Sequence, residues 1–89
     1  MDTENTSPFA QAMMRETDLT LISNRYNLLL KDSKCYSPTA GFCHNQKLVA
    51  DYLMESLEPL LTADGTKQRA NRLHKKIANF KDYMEAIAP

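Results

Sequence analysis

Cys35, Cys43 and His44 have the most distinctive side-chain chemistry in this sequence, because thiols and imidazoles bind soft metals and serve as nucleophiles or bases. Their spacing is Cys-x7-Cys-His, whereas zinc sites usually begin with two cysteines separated by only a few residues. The remaining histidine of the chain is His74. A tetrahedral site is therefore one ligand short unless His74 or an acid completes it, and we predict that this segment binds no metal.

Catalysis by the same residues has little support in the sequence. A cysteine nucleophile needs a base within hydrogen-bonding reach and a site that stabilises an oxyanion, and adjacency in sequence does not bring Cys43 and His44 side chains together. Gly41 and Gly65 are the two glycines, too few for a phosphate-binding loop. We expect a protein that is not an enzyme and uses no cofactor; an enzyme or metal protein centred on residues 35–44 is the alternative.

Positive charge is concentrated on one predicted helix near the end of the chain. Its basic residues are Lys67, Arg69, Arg72, Lys75, Lys76 and Lys81. No acid lies between Gly65 and Asp82, and the first two cations fall in the first turn, where they oppose the helix dipole. Such a surface can bind an acidic protein or the phosphates of a nucleic acid. The alternative is an ordinary solvated face, partly paired with the acidic helix before it.

The total formal charge is zero, but it is unevenly distributed along the chain. Residues 1–66 hold five basic residues against nine acids, a net charge of −4. Residues 67–89 hold six basic residues against two acids, a net charge of +4. This asymmetry can favour packing of one half of the chain against the other, attract an acidic partner or drive the pairing of two copies.

The same basic helix has one narrow apolar seam. Its apolar residues are separated alternately by three and four positions, which is the period of a helix packed along one edge. They are Ala70, Leu73, Ile77, Phe80, Met84 and Ile87. The segment therefore combines a packing edge with a cationic surface, which favours an interaction protein over a catalyst.

The stretch over residues 8–31 is largely free of helix breakers. Ser7 can cap this helix, and Pro8 suits its first position, where a missing N–H costs nothing. Glu16 interrupts the apolar spacing and Thr17 can cap a new helix, so one broken helix and two short helices remain alternatives.

Three consecutive leucines, Leu28, Leu29 and Leu30, close this first stretch. Neighbouring helical residues point about 100° apart, so no single narrow face can hold all three. A chain of 89 residues also buries only a modest core, which makes oligomerisation a natural source of stability. We therefore predict a homodimer in which one or more of these leucines contacts the second chain.

The pattern predicts an all-α fold, a bundle of three or four helices with a C-terminal antiparallel helical hairpin. Asn45 is a plausible cap for the second helix, Pro59 ends or kinks it, and Thr66 can cap the third after the Asp64-Gly65 turn. We expect a flexible tail over 1–6 and a single helical domain over 7–89. Its predicted parts are helices at about 8–31, 45–60 and 66–88 and a loop at 32–44.

A stretch of the predicted second helix carries a family resemblance. Lys47, the Leu53-Met54 pair and the closing Leu57-Glu58 stand at intervals that resemble one helix of the YmgB/AriR family, small enterobacterial helical regulators linked to biofilm formation and acid resistance. The resemblance covers about a dozen residues. It implies a homodimer without enzymatic activity that acts through regulatory protein contacts or at DNA.

The first residues, Met1 to Thr6, are acidic and polar and do not match a secretory signal, and no segment has the length needed to span a bilayer. We therefore expect a cytoplasmic protein with reduced thiols and no membrane contact. Its predicted function is that of a small regulatory or adaptor protein that binds itself and an acidic protein surface. The alternative is a nucleic-acid-binding regulator that uses the basic face of residues 67–81.

Overall fold

The computed structural model describes residues 8–89 and places almost all of them in three helices, with no strand in that part of the chain. The helices are α1 (Pro8–Cys35), α2 (Ala40–Leu61) and α3 (Lys67–Ile87). The prediction of an all-α fold is confirmed. The predicted tail over residues 1–6 and the Ser7 cap lie outside the described residues. Across residues 8–89, no helix combines the length and the hydrophobicity that crossing a membrane requires.

α1 is a single continuous helix, so the predicted alternative of two short helices is wrong. The Thr17 hydroxyl donates to the carbonyl of Met13 at 3.0 Å, and the Thr20 hydroxyl donates to the carbonyl of Glu16 at 3.0 Å. These are bonds back to the preceding helical turn, and they leave Thr17 within the helix and not at its cap.

The connection between α1 and α2 is only residues 36–39, so the predicted loop over 32–44 is too long. α2 begins at its cap Thr39 and not at Asn45: the Thr39 hydroxyl accepts a hydrogen bond from the amide of Phe42 at 3.1 Å. Pro38 lies just outside the helix, where its ring removes no helical hydrogen bond. At the other side, α1 continues to Cys35 with the Ser33 hydroxyl bonded to the carbonyl of Leu29 at 2.8 Å.

Three features define the turn between α2 and α3. α2 continues through the exposed Pro59 to Leu61, so it does not end at Glu58. Gly65 adopts a left-handed φ of 88°, which glycine tolerates without strain. The Thr66 hydroxyl does not cap α3 as predicted: it is buried and donates to the carbonyl of Leu60 at 3.1 Å, which joins the turn to the end of α2.

The core lies where all three helices meet. The predicted seam of α3 is confirmed from Ala70 to Met84, and Ile87 is half-buried beyond it. α2 and α3 share the largest contact, and α1 packs mainly on α2. The buried apolar residues of α1 and α2 are Leu19, Ile22, Tyr26, Leu29, Cys43, Ala50, Leu53, Leu57 and Leu60.

Tyr26 connects α1 to α3 in the middle of this core. Its ring meets the ring of Phe80 edge to face, with centroids 6.4 Å apart, and its hydroxyl donates to the carbonyl of Lys76 at 3.4 Å. Burial raises the pKa of the Tyr26 phenol above its ordinary value, because the charged phenolate is disfavoured there. The first buried residue of α1 is Leu19, so residues 8–18 extend along the surface without entering the core.

Candidate partner-binding surfaces

The packing of α3 leaves one side of that helix in water, and this side is cationic. Because the seam residues recur every three or four positions, the remaining positions project away from the core. Four of them are exposed cations, and we call them the basic face: Lys67, Arg72, Lys75 and Lys76. Within residues 8–89, none of these four side chains makes an ion pair. The basic face is therefore available to an external anion.

Arg69 lies beside Arg72 on α3 but is already paired. Its guanidinium binds the carboxylate of Glu16 on α1 through two hydrogen bonds, one of which joins Nη1 to Oε1 at 2.8 Å, and Nη2 also donates to the carbonyl of Gly65 at 3.0 Å. The fork of the guanidinium suits such a bidentate contact. Arg69 therefore fastens the exposed first turns of α1 to the start of α3.

The pair with Arg69 has a consequence for the pH dependence of stability. The hydrogen bond from Arg69, with its charge, holds the pKa of the Glu16 carboxyl below its ordinary value, and the pKa of Arg69 is raised in turn. A carboxyl with a lowered folded-state pKa stabilises the fold above its unfolded pKa, and that contribution is lost as the pH falls through the folded value. Both groups are exposed, so the contribution is small.

We expect Arg69→Gln to return the titration midpoint of Glu16 toward the ordinary glutamate value. The measurement is a carboxyl NMR titration of the wild-type and variant proteins, with Arg72→Gln as the matched control that leaves Glu16 unchanged. An unaltered Glu16 midpoint in Arg69→Gln would show that the ion pair does not persist in solution.

Lys81 also has an intramolecular partner. Its amine pairs with the carboxylate of Asp51 on α2, and one turn earlier on α2 the amine of Lys47 pairs with Glu85 at 3.1 Å. Both pairs join α2 to α3 at their exposed edges, where each contributes only modestly to stability. The six sequence-predicted cations thus divide into four on the basic face and two, Arg69 and Lys81, that hold helices together.

Polar side chains of α1 extend the basic face into a groove. The groove lies between α1 and α3, has a volume of about 320 Å³, and includes both Arg72 and Lys76. Opposite these cations, α1 contributes hydroxyl and amide side chains from Thr20, Ser23 and Asn24. Hydroxyls and amides beside cations are the groups that proteins use to bind phosphate oxygens. These α1 residues could not be predicted from the sequence, because only the packing of α1 beside α3 places them there.

The three leucines at the end of α1 have different environments. Leu29 is 4% exposed and lies in the core of the single chain, Leu30 is half-buried against that core, and Leu28 is 60% exposed. The inference that they cannot share a face holds for this helix. Leu28 is the one with most of its surface available to a second chain, whereas Leu29 already has its contacts within its own chain.

The thiols and the histidine near the first connection are not gathered into a site. Cys43 is buried in the core while Cys35 and His44 are exposed, and both cysteines are free thiols. The rings of Tyr36 and Phe42 lie 5.8 Å apart and cover the connection. Among residues 8–89, no cluster of three or more histidine, cysteine or acidic side chains has a metal-binding arrangement.

A buried amide beside this connection was also not found from the sequence. The Gln46 side chain donates to the hydroxyl of Ser33 at 3.1 Å and to the carbonyl of Leu29 at 3.4 Å. Buried polar groups need such partners, and here they tie the start of α2 to the end of α1. The signal in the sequence is weak, since a glutamine on an amphipathic helix is usually solvated.

Comparison of the chain with protein-family models, with curated proteins and with solved structures finds no match. The function is therefore inferred from the surfaces of this chain alone. Those surfaces are the basic face, the polar groove beside it and the exposed apolar residues of α1 and α2.

Proposed function

We propose that this protein is a small regulator or adaptor without enzymatic activity, which works by binding an acidic surface of another protein through the basic face of α3. The observation that carries the proposal is the division of the cations. Arg69 and Lys81 have carboxylate partners inside the chain, while the four cations of the basic face have none among residues 8–89. Unpaired charge on a rigid helix steers and orients an oppositely charged partner.

The proposal includes a homodimer in the cytoplasm, and a pairing of α2 and α3 as an antiparallel hairpin that presents the basic face. The ion pairs Lys47–Glu85 and Asp51–Lys81 support the antiparallel direction, because the earlier residue on α2 pairs with the later residue on α3. The family resemblance of residues 47–58 also favours a dimeric regulator. No residue group described above suggests a reaction of its own, and no cofactor forms part of the proposal.

Replacing Arg72, Lys75 and Lys76 together with glutamine tests the proposed role of the basic face. Glutamine keeps a high helix propensity, and exposed substitutions usually change the free energy of unfolding by no more than about 0.5 kcal/mol. We expect an unchanged melting temperature and a loss of partner binding with a weaker dependence on salt. Thermal melts and binding measured at increasing salt concentration check these two expectations.

A matched control is Lys31→Gln together with Lys34→Gln, which removes exposed charge from α1 and should leave partner binding intact. If the triple variant unfolds, the basic face serves the fold. If it folds and binds as well as the wild-type protein does, the basic face is only solvated surface.

A nucleic-acid-binding regulator is the second candidate, and the groove between α1 and α3 is the observation that favours it. Thr20, Ser23 and Asn24 stand opposite Arg72 and Lys76, an arrangement suited to phosphate oxygens. Single-strand stacking lacks support, because Phe80 is buried in the core and Tyr83 is the one exposed aromatic residue of α3. Fluorescence anisotropy with duplex DNA over a range of salt concentrations separates the candidates, since phosphate contacts give a steep salt dependence.

A further inference from the structure

One side of the molecule carries large apolar side chains that no other part of residues 8–89 covers. They are Met14, Leu21, Leu28, Val49 and Tyr52, each between 41% and 61% exposed. The three from α1 recur every seven residues and therefore share one face of that helix. Leu21 and Leu28 line the groove between α1 and α2 together with Tyr52. Single exposed apolar residues are ordinary, but a group on one side indicates an interaction surface.

Charged residues alternate in sign along the same face of α1. Asp18, Arg25 and Asp32 each stand four residues after one of the apolar positions, and all three are exposed and line the groove between α1 and α2. Within residues 8–89, none of the three makes an ion pair. The face therefore repeats as apolar, charged, apolar, charged, with the sign of the charge reversing at each step.

This alternation is complementary to itself, and we propose that a second copy of the chain binds this face with its α1 antiparallel to the first. The proposal rests on the homodimer included in the proposed function and assigns its interface. Leu21 of each copy lies at the two-fold axis, and Met14 meets the partner's Leu28. Asp18 then pairs with the partner's Arg25, and symmetry provides this pair twice.

Charge excludes the other simple arrangements. A parallel pairing places Asp18, Arg25 and Asp32 each against its own copy, and like charges across an interface are costly. An antiparallel pairing centred on Arg25 opposes the two arginines and sets Asp18 against the partner's Asp32. An antiparallel pairing centred on Leu28 matches Arg25 with the partner's Asp32, but it leaves Met14 and Leu21 without apolar partners. The proposed register satisfies both the charges and the apolar residues.

The proposed contact is small enough to be reversible. Residues 14–28 of α1 span about 22 Å. In each copy Val49 and Tyr52 of α2 add to the width of the contact. Stable interfaces usually bury about 800 Å² on each partner. The proposed face reaches that area only if nearly all of it is covered, so we expect a weak contact. The buried core lies within the single chain, so we expect each copy to fold alone and to pair as its concentration rises.

A charge exchange across the axis tests the register. Asp18→Arg places two arginines opposite each other at both symmetric positions, and we expect the dimer dissociation constant to rise about tenfold or more. Asp18→Arg combined with Arg25→Asp restores opposite charges, and we expect a dissociation constant close to that of the wild type. Asn27→Arg adds charge on another face of α1 and serves as the control. Sedimentation equilibrium measures all four proteins, with circular dichroism to verify folding.

Each outcome of the charge exchange has one interpretation. Weaker dimerisation in the single variant and recovery of the wild-type dissociation constant in the double variant support the proposed register. A wild-type dimer that neither variant alters overturns the assigned face and leaves the proposed homodimer standing. A wild-type protein that stays monomeric at several hundred micromolar overturns both. Should Asp18→Arg fail to fold, Met14→Cys and Leu28→Cys proteins, each in a Cys35→Ser background, are mixed in its place: the proposed register gives a disulfide between the two variants, whereas a parallel pairing gives disulfides only within each variant.

Discussion

Replacing Phe80 with alanine is expected to lower the free energy of unfolding by about 3–5 kcal/mol. Phe80 is 5% exposed, lies in the middle of the α3 seam and packs edge to face with the Tyr26 ring. Its removal takes away buried apolar area and leaves a cavity that the surrounding helices fill only partly. Small domains have a total free energy of unfolding of about 5–15 kcal/mol, so this single change removes a large share of it.

Urea denaturation followed by circular dichroism measures the effect on stability. Tyr83→Ala is the matched control, because Tyr83 is an aromatic residue of the same helix with most of its surface in water. We expect Tyr83→Ala to unfold near the wild-type midpoint. A Phe80→Ala protein that also unfolds near the wild-type midpoint would show that α3 does not pack through this seam.

Leu29→Ala is expected to destabilise the chain by about 2–5 kcal/mol, while Leu28→Ala changes stability by no more than about 0.5 kcal/mol. The two leucines are neighbours, but Leu29 is buried in the core of its own chain and Leu28 is mostly exposed. The comparison holds residue type and helix constant, so it isolates the effect of burial. It should be made by thermal melts at low protein concentration, where the proposed dimer is dissociated.

Equal losses in Leu28→Ala and Leu29→Ala would contradict the orientation of α1. A loss confined to Leu28→Ala would mean that α1 is rotated and presents a different face to the core. Neither result would affect the proposed role of the basic face, which lies on α3.

The seam of α3 could be predicted from the sequence because burial of a helix depends on local periodicity. Spacing of three and four residues from Ala70 to Met84 needs no knowledge of the neighbouring helices. The apolar spacing of α2 says less about burial, because Leu48, Val49 and Tyr52 continue that spacing but remain exposed. Periodicity identifies an apolar face, but tertiary packing decides how much of that face is covered.

The connection between α1 and α2 is shorter than predicted, because two residues nearby can serve as a helix cap. Asn45 and Thr39 are both good caps by residue type. The structure uses Thr39, whose hydroxyl bonds to the amide of Phe42, and α1 extends past residue 31 to meet it. Gly41 lies in the first turn of α2, where a helix accepts glycine at little cost.

The grouping of the cations could not be predicted, because it depends on contacts between residues far apart in sequence. Arg69 and Arg72 are similar in type and close in sequence, but only Arg69 lies beside Glu16, fifty-three residues away. The polar groove has the same origin, since Ser23 and Lys76 come together only when α1 packs beside α3. Charge composition showed that a cationic surface exists, and the fold shows which of its residues remain unpaired.

The most direct test of the proposed function is a pull-down from native lysate, with and without nuclease, that compares the wild-type chain with the variant in which Arg72, Lys75 and Lys76 are glutamine. We predict that the wild type retains a specific acidic protein after nuclease treatment and that the triple variant loses it. Reconstitution of that pair from purified components should show binding that weakens with salt. Equal capture by the wild type and the triple variant, or capture that disappears entirely with nuclease, would contradict a protein-binding basic face.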